Sequence, residues 1–465
     1  MGRASIGLGW IALIASAACG DGSSSNPPAA GGIRDGSRLE ARYWDAGDGA
    51  RVLRVWFDRA QGIECAFQRS PDERYRCLPT GETVASLSNE FADAACTQPI
   101  VTWPSCAPPP TAILSAGEPT PSCPADFARS VFEVGAESTT LFLGTDTGCS
   151  PWALTPDQRA FHVGTERPAN EFVGADLVVQ DSARLAPFTF QADDGAVEIV
   201  SIWDTERDAE CAPSGPFSDE KTRCGPVEIA LHHDFLWSDD TCTVHAAADL
   251  SPFRPCFPPT AVVGDGEPFG SNLLEIGARI PDGQAHRTDD TGMCTPETTG
   301  SVDGFYLEGP PIPLEALAEL TSVVEGTGRV RAALYAPPGD EPLARAGSFR
   351  DTTLDTDCYP ARFADGFRCV PSGALELGGA FADADCTSPL VPTAAPPSLI
   401  PSRHTATDAC DFVAFDGAFE AGTPFDGTEI FVLDGSGACV ASPVSPDLIY
   451  YAPGAPLDLA LIETP

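Results

Sequence analysis

Apolar residues along this chain come in short runs bounded by Asp, Gly and Pro, too short and too often interrupted for helices. Three of the interruptions resemble one another: Asp45-Ala46-Gly47-Asp48-Gly49, Asp193-Asp194-Gly195 and Pro338-Gly339-Asp340. Asp–Gly clusters between apolar strands mark β-hairpins, because both residues tolerate the backbone angles of a tight turn. Only 313–320 (PLEALAEL) has helical character, and 170–177 and 455–461 hold the same place in their own surroundings. The pattern predicts an all-β protein.

The pattern also repeats. Asp58-Arg59-Ala60-Gln61-Gly62-Ile63-Glu64-Cys65, with Cys77-Leu78-Pro79 after it, returns as Asp204…Cys211…Cys224-Gly225-Pro226 and as Asp351…Cys358…Cys369-Val370-Pro371. Arg38-Leu39, Arg184-Leu185 and Arg329-Val330 open the copies at intervals of 146 and 145 residues. A second shared element, Phe91-Ala92-Asp93-Ala94-Ala95-Cys96, is matched by Phe381-Ala382-Asp383-Ala384-Asp385-Cys386 and more loosely by the stretch from Phe235 to Cys242. A Pro-rich connector follows, and a closing cysteine (Cys149, Cys294, Cys439) returns every 145 residues. Three tandem repeats of about 145 residues thus occupy 38–182, 183–327 and 328–465.

Inside a repeat, Tyr43-Trp44-Asp45-Ala46-Gly47 matches Val131-Phe132-Glu133-Val134-Gly135, and the residues after Cys65 match those after Cys149. Six half-repeats of about 72 residues would then form the paired blades of a six-bladed β-propeller. Three separate disulfide-stapled β-domains are the alternative. No Ser/Gly linker divides the repeats, which favours one fused body.

Sixteen cysteines follow Cys19, an even number that suits disulfides in an oxidising compartment. None has CxxC spacing, which argues against zinc. Cys65 with Cys77, Cys211 with Cys224 and Cys358 with Cys369 are the expected hairpin staples. Cys96 with Cys106 and Cys123 with Cys149 are the expected neighbours in repeat 1. Repeat 2 (with Cys242 and Cys256) and repeat 3 (with Cys410 and Cys439) hold five cysteines each, which leaves Cys294 and Cys386 over, bridged to each other or free.

Residues 1–18 carry one early Arg and a short apolar run, a secretory leader too short to span a bilayer. Ser16-Ala17-Ala18-Cys19 resembles the lipobox of bacterial lipoproteins, which implies acylation of Cys19; ordinary cleavage near Ala18 is the alternative. Residues 19–37, rich in Gly, Ser and Pro, read as a flexible tether. Leader, tether and repeats of the form D-x6-C…RCLP…F-x-D-x-x-C-T resemble cysteine-rich repeat lipoproteins of bacterial envelopes. The motif is clearest in Arg76-Cys77-Leu78-Pro79, Arg368-Cys369-Val370-Pro371, Cys96-Thr97 and Cys386-Thr387. The resemblance implies a lipid-anchored envelope protein, on the outer surface or in the periplasm, and implies no activity.

A net charge of −40 with a single lysine, Lys221, repels nucleic acid and anionic headgroups, so the lipid anchor is the one membrane contact expected. The repeated acids Asp58, Asp204 and Asp351 are candidates for turn capping or for a repeated Ca²⁺ site. Their recurrence disfavours a catalytic role, which needs its acid and base once and in different environments. His232, His233 and His245 are the one candidate metal cluster, although adjacent strand residues point to opposite faces. Motifs for zinc proteases, serine hydrolases and P-loops are missing from the sequence. Trp56 and Trp203 read as core; Trp103 and Trp152, near Pro and Cys, read as candidates for contact with a partner. The expected function is a non-catalytic, membrane-anchored β scaffold that binds a protein, glycan or cation. An extracytoplasmic hydrolase or lyase on a propeller, using unpaired acids and the 232–245 region, is the alternative.

Overall fold

The computed structural model describes residues 32–463 except 48, 116, 121–122, 146–147, 181–183, 216, 218, 228, 250–258, 264–272, 282, 290–291, 298–303, 340–341, 373–378, 394–398, 404–413, 434–437 and 446–447. Leader, Cys19 and most of the tether lie outside the described residues. What is described is all-β; two single-turn 3-10 segments, Ala169–Glu171 and Leu314–Ala316, are its only helical pieces. The helical stretch expected over 313–320 shrinks to one turn, and the strand Glu319–Glu325 takes over its last two residues. No helix among the described residues is long and apolar enough to cross a membrane.

Each repeat opens with a four-stranded antiparallel meander. In repeat 1 it runs Leu39–Asp45, Arg51–Asp58, Ile63–Arg69 and Tyr75–Pro79. In repeat 2 it runs Leu185–Ala192, Val197–Asp204, Ala209–Ser214 and Thr222–Pro226. In repeat 3 it runs Val330–Ala336, Ala344–Asp351, Thr356–Phe363 and Gly366–Pro371. Linking strands join the meanders. Gly174–Val179 pairs first with Tyr75–Pro79 and then with Leu185–Ala192, and Glu319–Glu325 does the same between repeats 2 and 3. The last, Leu461–Ile462, pairs with Gly366–Pro371, and Glu463 exchanges backbone hydrogen bonds of 3.0 and 2.8 Å with Asp45.

The ladder therefore passes through fifteen strands and closes on its own beginning. No closed propeller forms. Propeller blades are separate sheets arranged radially, whereas here every meander is hydrogen-bonded to the next through a strand they share. Three of the core clusters show the same interlock. Each holds one hairpin disulfide and residues of the following repeat: Cys65 and Cys77 with Ala196, Cys211 and Cys224 with Tyr335, Cys358 and Cys369 with Ala50 and Val52.

Between the fourth meander strand and the linking strand, each repeat inserts a small β unit. In repeat 2 the strands Ile229–Trp237, Ala261–Val263, Leu273–Ile280, Gly304–Pro311 and His245–Asp249 pair in that order and return to Ile229–Trp237, closing a five-stranded barrel. The matching strands of repeat 1, Val84–Ser86, Ala112–Leu114, Val131–Ser138, Gln158–Arg167 and Ile100–Pro104, form an open row. In repeat 3 the insert touches the ring ladder through the pair Phe363–Phe415. The likeness between half-repeats does not extend to pairing. Ile63–Arg69 pairs with Tyr75–Pro79, but their counterparts Gly148–Trp152 and Gln158–Arg167 pair with other strands.

Cys65–Cys77, Cys211–Cys224 and Cys358–Cys369 are bonded across hairpins. The other expected pairs are corrected. Cys96 bonds Cys149, and the supposedly spare Cys294 and Cys386 bond Cys242 and Cys439. A flap hairpin folds back beside each D-x-x-C turn, so cysteines 52 or 53 residues apart become neighbours. Cys106 is also in a disulfide; Cys256, Cys410 and the Cys123 side chain lie outside the description. This many disulfides belongs to an oxidising, extracytoplasmic compartment.

Candidate binding crevices

The polar residues that recur in all three repeats hold the frame. Asp58, Asp204 and Asp351 are buried, and each meets the Arg that opens its own repeat, Arg38, Arg184 or Arg329, at 2.6 to 3.0 Å. The same carboxylates cap their turns, accepting from the N–H groups of Ala60, Glu206 and Thr353 at 3.0, 3.1 and 2.9 Å. Each Arg then donates to a carbonyl just before the linking strand, of Glu171, Ala316 or Asp458. A carboxylate so fully committed to N–H groups has few lone pairs to offer Ca²⁺.

A second tie runs beside the first. Arg76, Arg223 and Arg368 donate to the carbonyls of Phe172, Leu317 and Leu459 at 2.7, 2.9 and 2.5 Å. Asp219 and Asp365 orient two of these guanidiniums, which hold their carboxyls below the usual range. The motif R-C therefore fastens meander to linker: the N–H of the adjoining Cys77, Cys224 or Cys369 donates to the next linker carbonyl.

The D-x-x-C turns are equally self-contained. Asp93 accepts from the N–H of Thr97 and Gln98 at 2.9 and 2.8 Å and from the Thr97 hydroxyl at 2.7 Å. Asp239 and Asp383 do the same with Thr243 and Thr387. Hydrogen bonds, from Ser388 first, hold the Asp383 carboxyl down at about 2. The cysteines of these turns, Cys96, Cys242 and Cys386, sit at φ of 53°, 50° and 52°, a left-handed conformation uncommon for a residue with a Cβ.

The histidine cluster only partly assembles. The rings of His232 and His245 lie 4.9 Å apart, with Trp237 stacked on His245 at 4.2 Å. His232 is engaged by Glu308 through Nδ1, and the side chain of His233 lies outside the description. Among the described residues no group of three His, Cys, Asp or Glu is placed to hold a metal. Of the tryptophans, Trp56 is buried and Trp203 packs on Phe188. Trp103 donates to the Pro108 carbonyl at 2.7 Å, and Trp152 on its flap is 60% exposed.

Crevices open where inserts meet meanders, and they differ from repeat to repeat. That of repeat 1 has a volume of about 460 Å³ and is lined by Ser70, Asp72, Arg129, Glu166, Arg167 and Phe172, among others. Arg167 lies 4.8 Å from the Phe172 ring centroid and is paired with Glu171 at 2.9 Å. Glu166 accepts from the Ser130 hydroxyl at 2.6 Å. The half-buried Arg129 guanidinium has no acceptor among the described residues, in a chain with 67 acids to 27 bases. Nothing in the sequence singles Arg129 out, because it recurs in no other repeat. The counterpart in repeat 3, of about 290 Å³, is lined by Asp365, Asp416 and Asp458 with Arg368. In repeat 2 Phe217 takes the place of Ser70, as the matching turn bonds show, and is buried in one core cluster with Ile312 and Leu317.

No curated protein and no solved structure matches the chain. A family model does match, over residues 178–464, from the linking strand that enters repeat 2 to the ring-closing end of repeat 3. By that match the chain belongs to a family of unknown function, DUF7481.

Proposed function

We propose that this is a non-catalytic binding protein of the bacterial cell envelope, anchored through an acylated Cys19, with the ring as a rigid frame and the crevices as its contact points. The observation that carries the reading is the divergence of equivalent places: a crevice holding Arg129 without an ion-pair partner among the described residues, a crevice lined by Asp365, Asp416 and Asp458, and in repeat 2 Phe217 packed into the core. A frame held constant while its openings vary suits multi-point recognition of a protein surface, where charge complementarity sets register and partner choice. The exposed Trp152 adds an apolar anchor of the kind that dominates interfaces. Against catalysis stands the use of every repeated acid in capping and ion pairing.

A photo-crosslinking residue placed at Ser70 or at Phe217 in the full-length, membrane-anchored protein tests the reading in intact cells. An adduct from Ser70 that disappears with Arg129→Glu, and none from Phe217, is the expected result. No adduct from Ser70, or equal adducts from both, overturns it. The anchor is tested separately by labelled fatty acid, which Cys19→Ser should fail to incorporate.

A further inference from the structure

The ring has three equivalent seams between consecutive repeats, and one is incompletely filled. At the seam of repeats 1 and 2, Phe190 packs on Phe67 and Tyr75 with ring centroids 4.9 and 4.8 Å apart. Trp56 adds an indole N–H donated to Glu198 at 2.6 Å. At the seam of repeats 3 and 1, Trp44 packs on Phe367 at 4.6 Å, and Phe349 meets Val52 in one core cluster.

At the seam of repeats 2 and 3, Tyr335 stands where the other seams have Phe190 and Trp44. Its counterparts have shrunk. The ladder registers put Pro213 and Thr222 at the positions of Phe67 and Tyr75. Ile202, likewise, holds the position of Trp56. A cavity of about 390 Å³ remains, within the range of small-molecule sites. Tyr335, Ser201, Ser348, Ser372 and Asp357 line it, with Ile202 and Pro213 as apolar wall. The Ser201 hydroxyl is buried and has no hydrogen-bond partner, an unfavourable state unless a ligand supplies one. Asp357 is met by Arg350 at 3.1 Å, so its charge is already answered.

We propose that this cavity binds a small uncharged polyol, of the size of a single sugar ring. Hydroxyl-rich walls match a ligand that both donates and accepts, and the apolar wall matches the C–H face of such a ring. The field of a chain with net charge −40 disfavours an anion, and the pairing of Asp357 with Arg350 leaves no free carboxylate in the lining to hold a cation. The site rests on the repeat 2–3 seam alone and is independent of the crevice reading.

Calorimetric titration of the folded, disulfide-intact protein with glucose, galactose, mannose and N-acetylglucosamine tests it, with glucuronate and glucosamine as charged controls. Millimolar or tighter binding of at least one neutral sugar is expected, with the charged analogues no tighter. Ser201→Ala should weaken that binding about tenfold without lowering the melting temperature. The pair Pro213→Phe and Thr222→Tyr, which rebuilds the packing of repeat 1, should abolish it. No binding of any neutral sugar overturns the proposal, as does binding by charged analogues alone. Undiminished affinity in Ser201→Ala, or in the filled variant where that variant folds, overturns it as well.

Discussion

The ring and its three inserts are built from one repeated sequence, yet they have been held to different standards. In the ring the same Arg–Asp pair, the same Arg-to-carbonyl tie and the same hairpin disulfide occur three times at matching places. Among the inserts the ladder closes in repeat 2 and stays open in repeat 1, and the matching places hold Arg129 without an ion-pair partner among the described residues, a buried Phe217 and a set of three Asp in turn. Closure explains the difference. Each meander must pair with its neighbour on both sides, so a change at one end strains two repeats, whereas an insert's own strands pair chiefly within its repeat.

The sharpest way to break this comparison is to strand a buried carboxylate. Arg329→Met leaves Asp351 buried without its cation and should lower stability by about 3 kcal/mol, the low end for such a loss because the Arg is part-exposed. Arg159→Met, which removes an exposed pair with Glu137 in an insert, should cost far less. Equal losses in urea denaturation would dissolve the distinction. The hairpin disulfides are of similar size. Removing Cys211–Cys224 by a double Ala substitution should cost about 3 kcal/mol of global stability for its thirteen-residue loop. Removing Cys242–Cys294 should instead strip amide-exchange protection from the repeat 2 insert and leave the ring's slowest amides unchanged.

Acid titration should separate the two regions by sign. In the ring, burial pushes the Glu198 carboxyl above its usual range, with the Trp56 hydrogen bond acting against it. The unfolded chain therefore loses this proton first, and stability falls as pH rises from the ordinary Glu value through the raised one. Glu198→Gln should raise the melting temperature at pH 8 and change it less at pH 4. In the insert of repeat 3, the Asp383 carboxyl is held at about 2, so its contribution is present above the ordinary Asp value and fades as pH falls through about 2. Asp383→Ala should give the smallest effect of the set, a faster exchange of the Thr387 amide at neutral pH that vanishes in acid.

Local features were the legible ones. The D-x6-C repeat marks a carboxylate two positions before the N–H it caps and a cysteine in the next strand, all within one hairpin. The hairpin staples follow from the same short spacing. The flap disulfides do not, because Cys96 meets Cys149 only after the intervening chain has folded into an insert. Proximity in sequence pointed to Cys106 instead. Arg129 was invisible for a related reason: its isolation depends on how the fold places the acids around it, and among the described residues none forms an ion pair with it.

By itself the sequence determined the strand-and-turn character, the threefold repeat and the oxidising compartment, because each rests on residue type and short spacing. Ring closure was decided by tertiary structure, since the pairing of Glu463 with Asp45 joins residues at opposite ends of the chain. So were the differences among three equivalent seams and crevices. Whether Phe217 fills a space, or Pro213 leaves one, depends on the volume that the neighbouring repeat presents, and no single repeat encodes that volume.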